Sequence, residues 1–345
     1  FRDLPRDRAA LDYAFALSDV VTEGMEFYGK LIKDAALPAK VVTGALYGHL
    51  IDLGAHFLGE QVGYLRQRRA IDSPYLDYFL GPLQYGGAFR DVGGVGSFDM
   101  PSPASLKLSN KIWLNEDDVR THLEYPAGYA YSIRTPDATA AMLARQLFKA
   151  ICAGAGNYWF ALGTAHQNWF DDPETVRTLN EIQKIADESV NRDRSKIAEI
   201  AVVMSDQSVG FLRQAKGRET EDQIMLHAIY QREQIGRIGA PFDEYLLDDF
   251  LKSDMPDYKF YIFLNAFAVS DAEKGAIQAR LGRNGALALW YYAPGLAGVD
   301  GLSPERSAAL TGIPFKLDST RRNGEFELRV RMPELPEKTR FGRKD

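Results

Sequence analysis

Residues 110–122 read Asn-Lys-Ile-Trp-Leu-Asn-Glu-Asp-Asp-Val-Arg-Thr-His, or NKIWLNEDDVRTH. Ile112 to Leu114 predict a short buried strand, and the acids Glu116, Asp117 and Asp118 follow it closely. Ionised carboxylates are costly to bury without partners, but they are tolerated at the mouth of a sheet or barrel, where βα loops carry chemistry. We therefore interpret Glu116 as a functional residue, and Asp117 or Asp118 as the N-cap of the next helix. The alternative is that the whole stretch is a solvated turn.

The composition limits the number of domains and the classes of protein to which the chain can belong. The chain has 345 residues, of which 46% are apolar, and this is enough for two domains. A net charge of −6 disfavours a nucleic-acid or anionic-membrane surface, and no apolar run reaches membrane-spanning length. A single cysteine, Cys152, excludes an intrachain disulfide but leaves the compartment open. Because the sequence starts at Phe1 without a methionine or a signal pattern, we expect a piece of a longer polypeptide.

The first part of the chain alternates strands and helices. Residues 8–35 predict a long helix, whose apolar stripe would comprise Leu17, Val21, Met25, Tyr28 and Ile32. Strands are predicted at 40–47, 75–80, 112–114 and 157–162, with helices at 55–69, 136–153 and 172–191. The run at 40–47 is typical of a fully buried strand, and the glycine-rich stretch 84–109 predicts a long loop. A strand–helix repeat of roughly 40 residues indicates parallel βα units, and four of them make half of a (β/α)₈ barrel.

A charged linker at 191–196 then precedes a second α/β unit. Its predicted strands are 200–204, 260–264 and 285–292, and its predicted helices are 219–238 and 270–281, while 242–247 predicts a strand or a short helix. This pattern predicts a small open sheet of flavodoxin-like type. The fold class is therefore α/β: half of a TIM barrel over 1–195, a flavodoxin-like domain over 196–318, and the start of a further β module over 319–345.

The chemistry that suits a carboxylate at a barrel strand end is glycoside hydrolysis, which uses a pair of carboxylates. Glu116 fits the carboxylate that attacks carbon or activates water. Aromatic side chains after the strands would form a wall for a sugar ring, although each of them is individually better suited to the core: Tyr47, Tyr85, Trp159, Phe160 and Trp169. Arg120 would hold a carboxylate, while His49 and His122 would contact sugar hydroxyls; a solvated or structural role is the equal alternative for all three.

Other chemistries fit less well. The histidines are scattered and no CxxC pair exists, so no metal site is predicted. Cys152 falls in a helix of the first unit, which excludes a glutaminase nucleophile in the second. The stretch after the strand at 200–204 places Asp206 where a flavin phosphate would bind, so no cofactor is expected.

Three segments carry a family resemblance: KIWLNEDDVRTH at 111–122, NYWFALG with NWFDDPE within 157–174, and KFYIFLNAFAVSDAE with GALALWYYAPG within 259–295. With these, the chain resembles glycoside hydrolase family 42 β-galactosidases over most of its length. The resemblance implies that Glu116 is the nucleophile of a retaining β-galactosidase-like reaction and that Trp159 to Trp169 form a subsite wall. It also implies that the second unit is a trimerisation domain related to class I glutamine amidotransferases. The family's acid/base glutamate would lie before Phe1, so we expect this chain alone to be inactive.

Two rival hypotheses stay open. One is a non-catalytic carbohydrate-binding or assembly protein on the same fold, and the other is an inverting or transglycosylating enzyme. All three predict an oligosaccharide or glycoside as the ligand.

Overall fold

A computed structural model describes residues 1–2, 4, 6–47, 63–82, 87–95, 102–124, 133–161, 169–193, 195, 197–212, 231–283 and 285–316. Within them lie two four-stranded parallel sheets and a short antiparallel pair. The helix predicted at 55–69 and that at 219–238 fall largely outside these ranges, and the module predicted at 319–345 falls outside them entirely.

The first sheet has the order β1-β2-β3-β4, so neighbouring strands follow each other in the chain. The strands are β1 (Gly44–Leu46), β2 (Tyr78–Pro82), β3 (Ile112–Asp117) and β4 (Gly156–Trp159). The helices around it are α1 (Arg8–Ala35), α2 (Gln67–Asp72), α3 (Gly87–Arg90), α4 (Pro103–Leu108), α5 (Pro136–Ala153) and α6 (Pro173–Ser189). This arrangement confirms the predicted parallel βα units.

The two faces of the first sheet differ. Phe79 and Trp113, which are Cα partners, are buried against the α2 and α4 helices. Side chains alternate along a strand, so the neighbouring positions face the other way. Leu46 and Ile112 on that second face are 59% and 54% exposed. The run at 40–47 is therefore not the fully buried strand that its sequence predicts, because only one of its faces is covered by helices.

Helix α1 begins and ends where its sequence pattern predicts, but the predicted apolar stripe is covered only in part. Val21 and Met25 pack against the core beside α2, whereas Tyr28 and Ile32 are 63% and 51% exposed. The fully buried positions of the helix are Leu11, Ala14, Ser18, Thr22 and Gly29. Gly29 explains the difference: a Cβ at this position would lie 2.6 Å from the carbonyl oxygen of Tyr75. The helix contacts backbone, and such close contact requires small residues on the contact side.

Two other local predictions are corrected. The glycine-rich stretch 84–109 is not one long loop, since it contains helices α3 and α4. Strand β3 continues through Asp117, so neither Asp117 nor Asp118 caps a helix. Helix α5 is capped by Thr135, whose hydroxyl accepts the N–H of Ala138.

The second sheet has the order β6-β5-β7-β8, with β5 (Ile200–Met204), β6 (Phe242–Leu246), β7 (Phe260–Phe263) and β8 (Leu287–Trp290). Around it lie α7 (Asp206–Val209), α8 (Asp271–Arg283), α9 (Pro304–Thr311) and the antiparallel pair β9 (Ala297–Gly298) and β10 (Gly301–Leu302). Its central strands are buried on both faces, Val202 on one side and Val203 on the other. Ala14 of α1 joins the same core cluster as Val202, so the two sheets share a core.

Polar contacts also join the two sheets. The N–H of Gln67, at the start of α2, donates to Asp206 Oδ2 at 2.8 Å. Arg68 forms an ion pair with Asp249, whose side chain is fully buried. Ser105 of α4 donates to the same carboxylate and accepts the N–H of Leu246 at 2.8 Å. The Asp249 carboxylate therefore connects α2 and α4 of the first unit to the second sheet.

Candidate active site

Glu116 lies one residue before the end of β3, where its Cα partners are Pro82 of β2 and Tyr158 of β4. By strand alternation its side chain shares a face with Leu114 and Ile112, the face away from the α2 and α4 helices. Its two neighbours, Asn115 and Asp117, are buried on the opposite face. Glu116 itself is only half-buried, at the carboxyl end of the sheet.

Tyr158 holds the Glu116 carboxylate. Its phenol donates a hydrogen bond to Oε2 of Glu116 at 2.5 Å. Burial, followed by the adjacent Glu116 carboxylate, raises the pKa of Tyr158, so the phenol keeps its proton at neutral pH. Phe160 follows on the same face, with ring centroids 6.3 Å from Tyr158, and is 39% exposed. A carboxylate, a phenol and an exposed ring thus meet at one end of the sheet.

The sequence interpretation missed Tyr158. It chose Trp159, the next residue, as the aromatic contact of β4. Trp159 packs instead with Leu143, Leu147 and Ile182 of α5 and α6, on the helix-facing side of the strand. Strand alternation separates Tyr158 from Trp159, but sequence alone does not say which of the two faces the helices.

Behind the strand end lies a group of buried charges. Arg90 Nη2 pairs with Asp118 Oδ1 at 2.7 Å, and both side chains are fully buried. Asp117 is 1% exposed, and neither of its carboxylate oxygens has a hydrogen bond within the described part of the chain. Burial raises the pKa of Asp117 to about 7, and Asp118 adds to the shift, while Arg90 and the nearby N–H of Val119 oppose it. The three consecutive acids therefore have three different environments.

The segment after β3 is anchored to α5 and to the residues that precede α6. The N–H of His122 donates to the Thr139 hydroxyl at 3.0 Å, and the Nδ1 of His122 lies 2.9 Å from the same oxygen. Arg120 pairs with Glu124 at 3.2 Å and lies over the Trp169 ring, 5.0 Å from its centroid. Thr121 donates to the carbonyl of Trp169, whose ring is buried. These contacts fix the course of the chain beside Glu116.

Three more predicted site residues remain to be placed. Tyr47 is buried at the end of β1, where its ring packs edge-on against Tyr64 with centroids 5.1 Å apart. His49 and Tyr85 lie outside the described residues. The structure thus brings Arg120 and Trp169 into contact, holds His122 against Thr139 of α5, and places Tyr47 in the core.

Within the described ranges, no group of three or more histidine, cysteine or acidic side chains is arranged to hold a metal ion. In the same part of the chain, no helix has both the length and the apolar character needed to cross a bilayer.

Comparison with known proteins points to one kind of fold. No family model matches the sequence, and no curated protein matches it. The chain is similar in structure to a β-galactosidase from the Antarctic haloarchaeon Halorubrum lacusprofundi, with a TM-score of 0.54 and 16% identity over 85% of this chain and 44% of that one. It is also similar to the β-galactosidase from the psychrophilic Marinomonas ef1, with a TM-score of 0.50 and 11% identity over 87% and 47% of the two chains. The fold is therefore glycosidase-like, and the chain spans less than half the length of either enzyme.

Proposed function

We propose that this chain belongs to a retaining glycoside hydrolase of the β-galactosidase type, with Glu116 as the nucleophile. The observation that carries the proposal is the position of Glu116 at the carboxyl end of a parallel strand, on the face away from the α2 and α4 helices. Catalytic groups of barrel enzymes lie at this end of the strands. The fold shared with two β-galactosidases supports a carbohydrate substrate.

In this mechanism a Glu116 oxygen attacks the anomeric carbon and the bond to the leaving oxygen breaks, giving a glycosyl ester that water later hydrolyses. A second carboxylic acid protonates the leaving oxygen. Glu116 is the carboxylate that strands β1 to β4 present on their open face, because Asp117 points to the other side. The proton donor must therefore come from outside these four strands. Phe160 supplies an exposed ring for the sugar, whereas Trp169 is buried beneath Arg120.

The test uses 2,4-dinitrophenyl 2-deoxy-2-fluoro-β-galactoside, whose leaving group departs without a proton. The label is expected on Glu116, even if the proton donor is absent. Trypsin cuts after Lys111 and Arg120, so one peptide, IWLNEDDVR, carries all three acids, and fragmentation identifies the labelled one.

Glu116→Gln, which keeps the shape and removes the nucleophile, is expected to prevent labelling. Asp117→Asn is the matched control and should still be labelled. A label on any other residue, or equal labelling of Glu116→Gln, would end the assignment. Galactoside binding without any label would favour the rival hypothesis of a non-catalytic carbohydrate-binding protein.

We also propose that residues 196–318 form a flavodoxin-like domain that assembles the protein into trimers. Counted from β5, the strand order is 2-1-3-4, the order that begins the flavodoxin-like sheet. The edge strand β8 leaves Leu287 and Leu289 69% and 50% exposed, which supports a contact surface there. Light scattering after size exclusion should give a trimer, and Leu287→Glu with Leu289→Glu should give a monomer. A monomeric parent protein would remove the proposal.

A further inference from the structure

We infer that Tyr158 is a positioning residue for the nucleophile, which fixes Glu116 so that Oε1 is the oxygen that attacks the sugar. This inference rests on the proposed function and concerns the same site.

The geometry of the two strands places the phenol. Glu116 and Tyr158 are Cα partners in parallel strands, and the pairs on either side of them, Asn115 with Asn157 and Asp117 with Trp159, keep the same register. The N–H of Phe160 also donates to the carbonyl of Asp117 at 2.9 Å. Because a slip by one residue would move Tyr158 to the opposite face, the backbone register holds the phenol beside the carboxylate.

The hydrogen bond distinguishes the two carboxylate oxygens. Tyr158 donates to Oε2, whereas Oε1 has no hydrogen-bond partner among the described residues. A carboxylate that is held at one oxygen retains free lone pairs on the other, and a well-oriented nucleophile lowers the entropic barrier to attack. Oε1 is therefore the oxygen available to form the bond to the anomeric carbon.

Tyr158 takes no part in the transfer of protons. Burial and the neighbouring carboxylate both raise the pKa of its phenol, which therefore stays a neutral donor. In the labelling reaction the Oε1–carbon bond forms while the bond from the anomeric carbon to dinitrophenolate breaks, and the electron pair leaves with the phenolate. The Tyr158 proton remains on its oxygen throughout.

The test compares the labelling of Tyr158→Phe and of the wild-type chain by the dinitrophenyl fluoro-galactoside, as a function of reagent concentration. We expect the limiting rate constant of labelling to be about 10- to 100-fold lower in Tyr158→Phe, the range that misplacement of a reacting group produces. The reagent concentration that gives half of the limiting rate should change little, because the lost interaction orients the nucleophile. Tyr78→Phe is the matched control, since Tyr78 lies on the same face at the other end of the sheet, paired with Ile112. It should keep the wild-type limiting rate constant.

A second variant serves if Tyr158→Phe loses its fold. Incorporation of 4-fluorophenylalanine at position 158 keeps a ring of similar size but removes the O–H donor, so it should lower the limiting rate constant to the same extent, whereas 3-fluorotyrosine keeps the donor and should keep the wild-type rate constant. The inference is overturned if the wild-type chain is labelled at Glu116 but loss of the Tyr158 donor leaves the limiting rate constant unchanged. If the wild-type chain is not labelled at all, the proposed function fails and this inference fails with it.

Discussion

Arg90 and Asp118 form an ion pair inside the protein, with Nη2 and Oδ1 2.7 Å apart and neither side chain exposed to solvent. Arg90 is the last residue of α3, and Asp118 directly follows β3. The pair therefore ties the helix formed by the glycine-rich segment to the strand that carries Glu116. A charge buried in this way needs its partner, because the alternative is an uncompensated ion in a medium of low dielectric constant.

Asp118→Asn should destabilise the protein by about 3–5 kcal/mol, since it removes one partner of a fully buried ion pair. The free energy of unfolding in urea measures the effect. The control is Asp34→Asn, which breaks a pair with Lys30 in which the side chains are 53% and 56% exposed. That change should cost no more than about 0.5 kcal/mol. Similar losses for the two variants would contradict a special role for the buried pair.

Asp117→Asn should flatten the pH dependence of stability. The pKa of Asp117 in the folded protein is raised to about 7, whereas the pKa of an aspartate in an unfolded chain is about 3.9. Between these values the folded state binds more protons than the unfolded state, so stability falls as the pH rises through this window, and the loss is complete above the folded pKa. The loss is on the order of 4 kcal/mol, because a tenfold difference in proton affinity between the two states is worth about 1.4 kcal/mol.

Urea unfolding at several pH values checks this. The quantity to follow is the free energy of unfolding of Asp117→Asn minus that of the wild-type chain. This difference should be more favourable to the variant at mildly alkaline pH than near the lower end of the window. Asp12→Asn, whose side chain is 58% exposed in a pair with Arg8, serves as control and should leave the pH profile unchanged. Burial also raises the pKa of Asp206 to about 6 and that of Asp248 to about 8, so the difference between the variant and the wild-type chain is the decisive quantity. An Asp117→Asn profile parallel to the wild-type profile would show that Asp117 is charged in the folded state.

Sequence patterns predicted the elements of the fold because their signals are local. Helix α5 begins and ends at the predicted residues, and Asp172 caps α6 with Pro173 at its first position, as expected. The alternation of strands with helices likewise predicted parallel sheets. Each of these signals depends on neighbours within a few residues.

The errors concern partners that are distant in the chain. Large apolar residues predict the inward face of α1, but near Tyr75 the helix contacts backbone, and there Tyr28 and Ile32 of the predicted stripe stay exposed. Arg90 gave no signal of its role, since Asp118 is 28 residues away. Tyr158 was missed because alternate side chains of β4 face opposite sides, and the sequence does not tell which side the helices cover. The position of Glu116 at a strand end was predictable, whereas the donor that holds it was not.

Asp249→Asn should weaken the connection between the two sheets. It removes the ion pair of Asp249 with Arg68, and it weakens the acceptor for Ser105. We expect a loss of about 3 kcal/mol or more, and hydrogen exchange in β5 to β7 that becomes faster than in β2 and β3. The comparison is Asp72→Asn, which affects the same arginine, although the Asp72 side chain is 47% exposed. That variant should lose at most about 1 kcal/mol. Uniform acceleration of exchange in both sheets would show that the contact stabilises the protein without joining its two parts.

Two glycines of α1 should respond to alanine in opposite directions. No heavy atom lies within 4 Å of a Cβ built at Gly24, so Gly24→Ala should stabilise the helix by about 0.5–1 kcal/mol through its lower conformational entropy in the unfolded chain. At Gly29 the new Cβ would lie 2.6 Å from the carbonyl oxygen of Tyr75, and the helix must move to relieve the clash. Gly29→Ala should therefore destabilise the protein by about 1–3 kcal/mol, despite the better helix propensity of alanine. Urea unfolding of both variants measures the difference, and a gain in stability for Gly29→Ala would show that α1 does not contact the Tyr75 backbone.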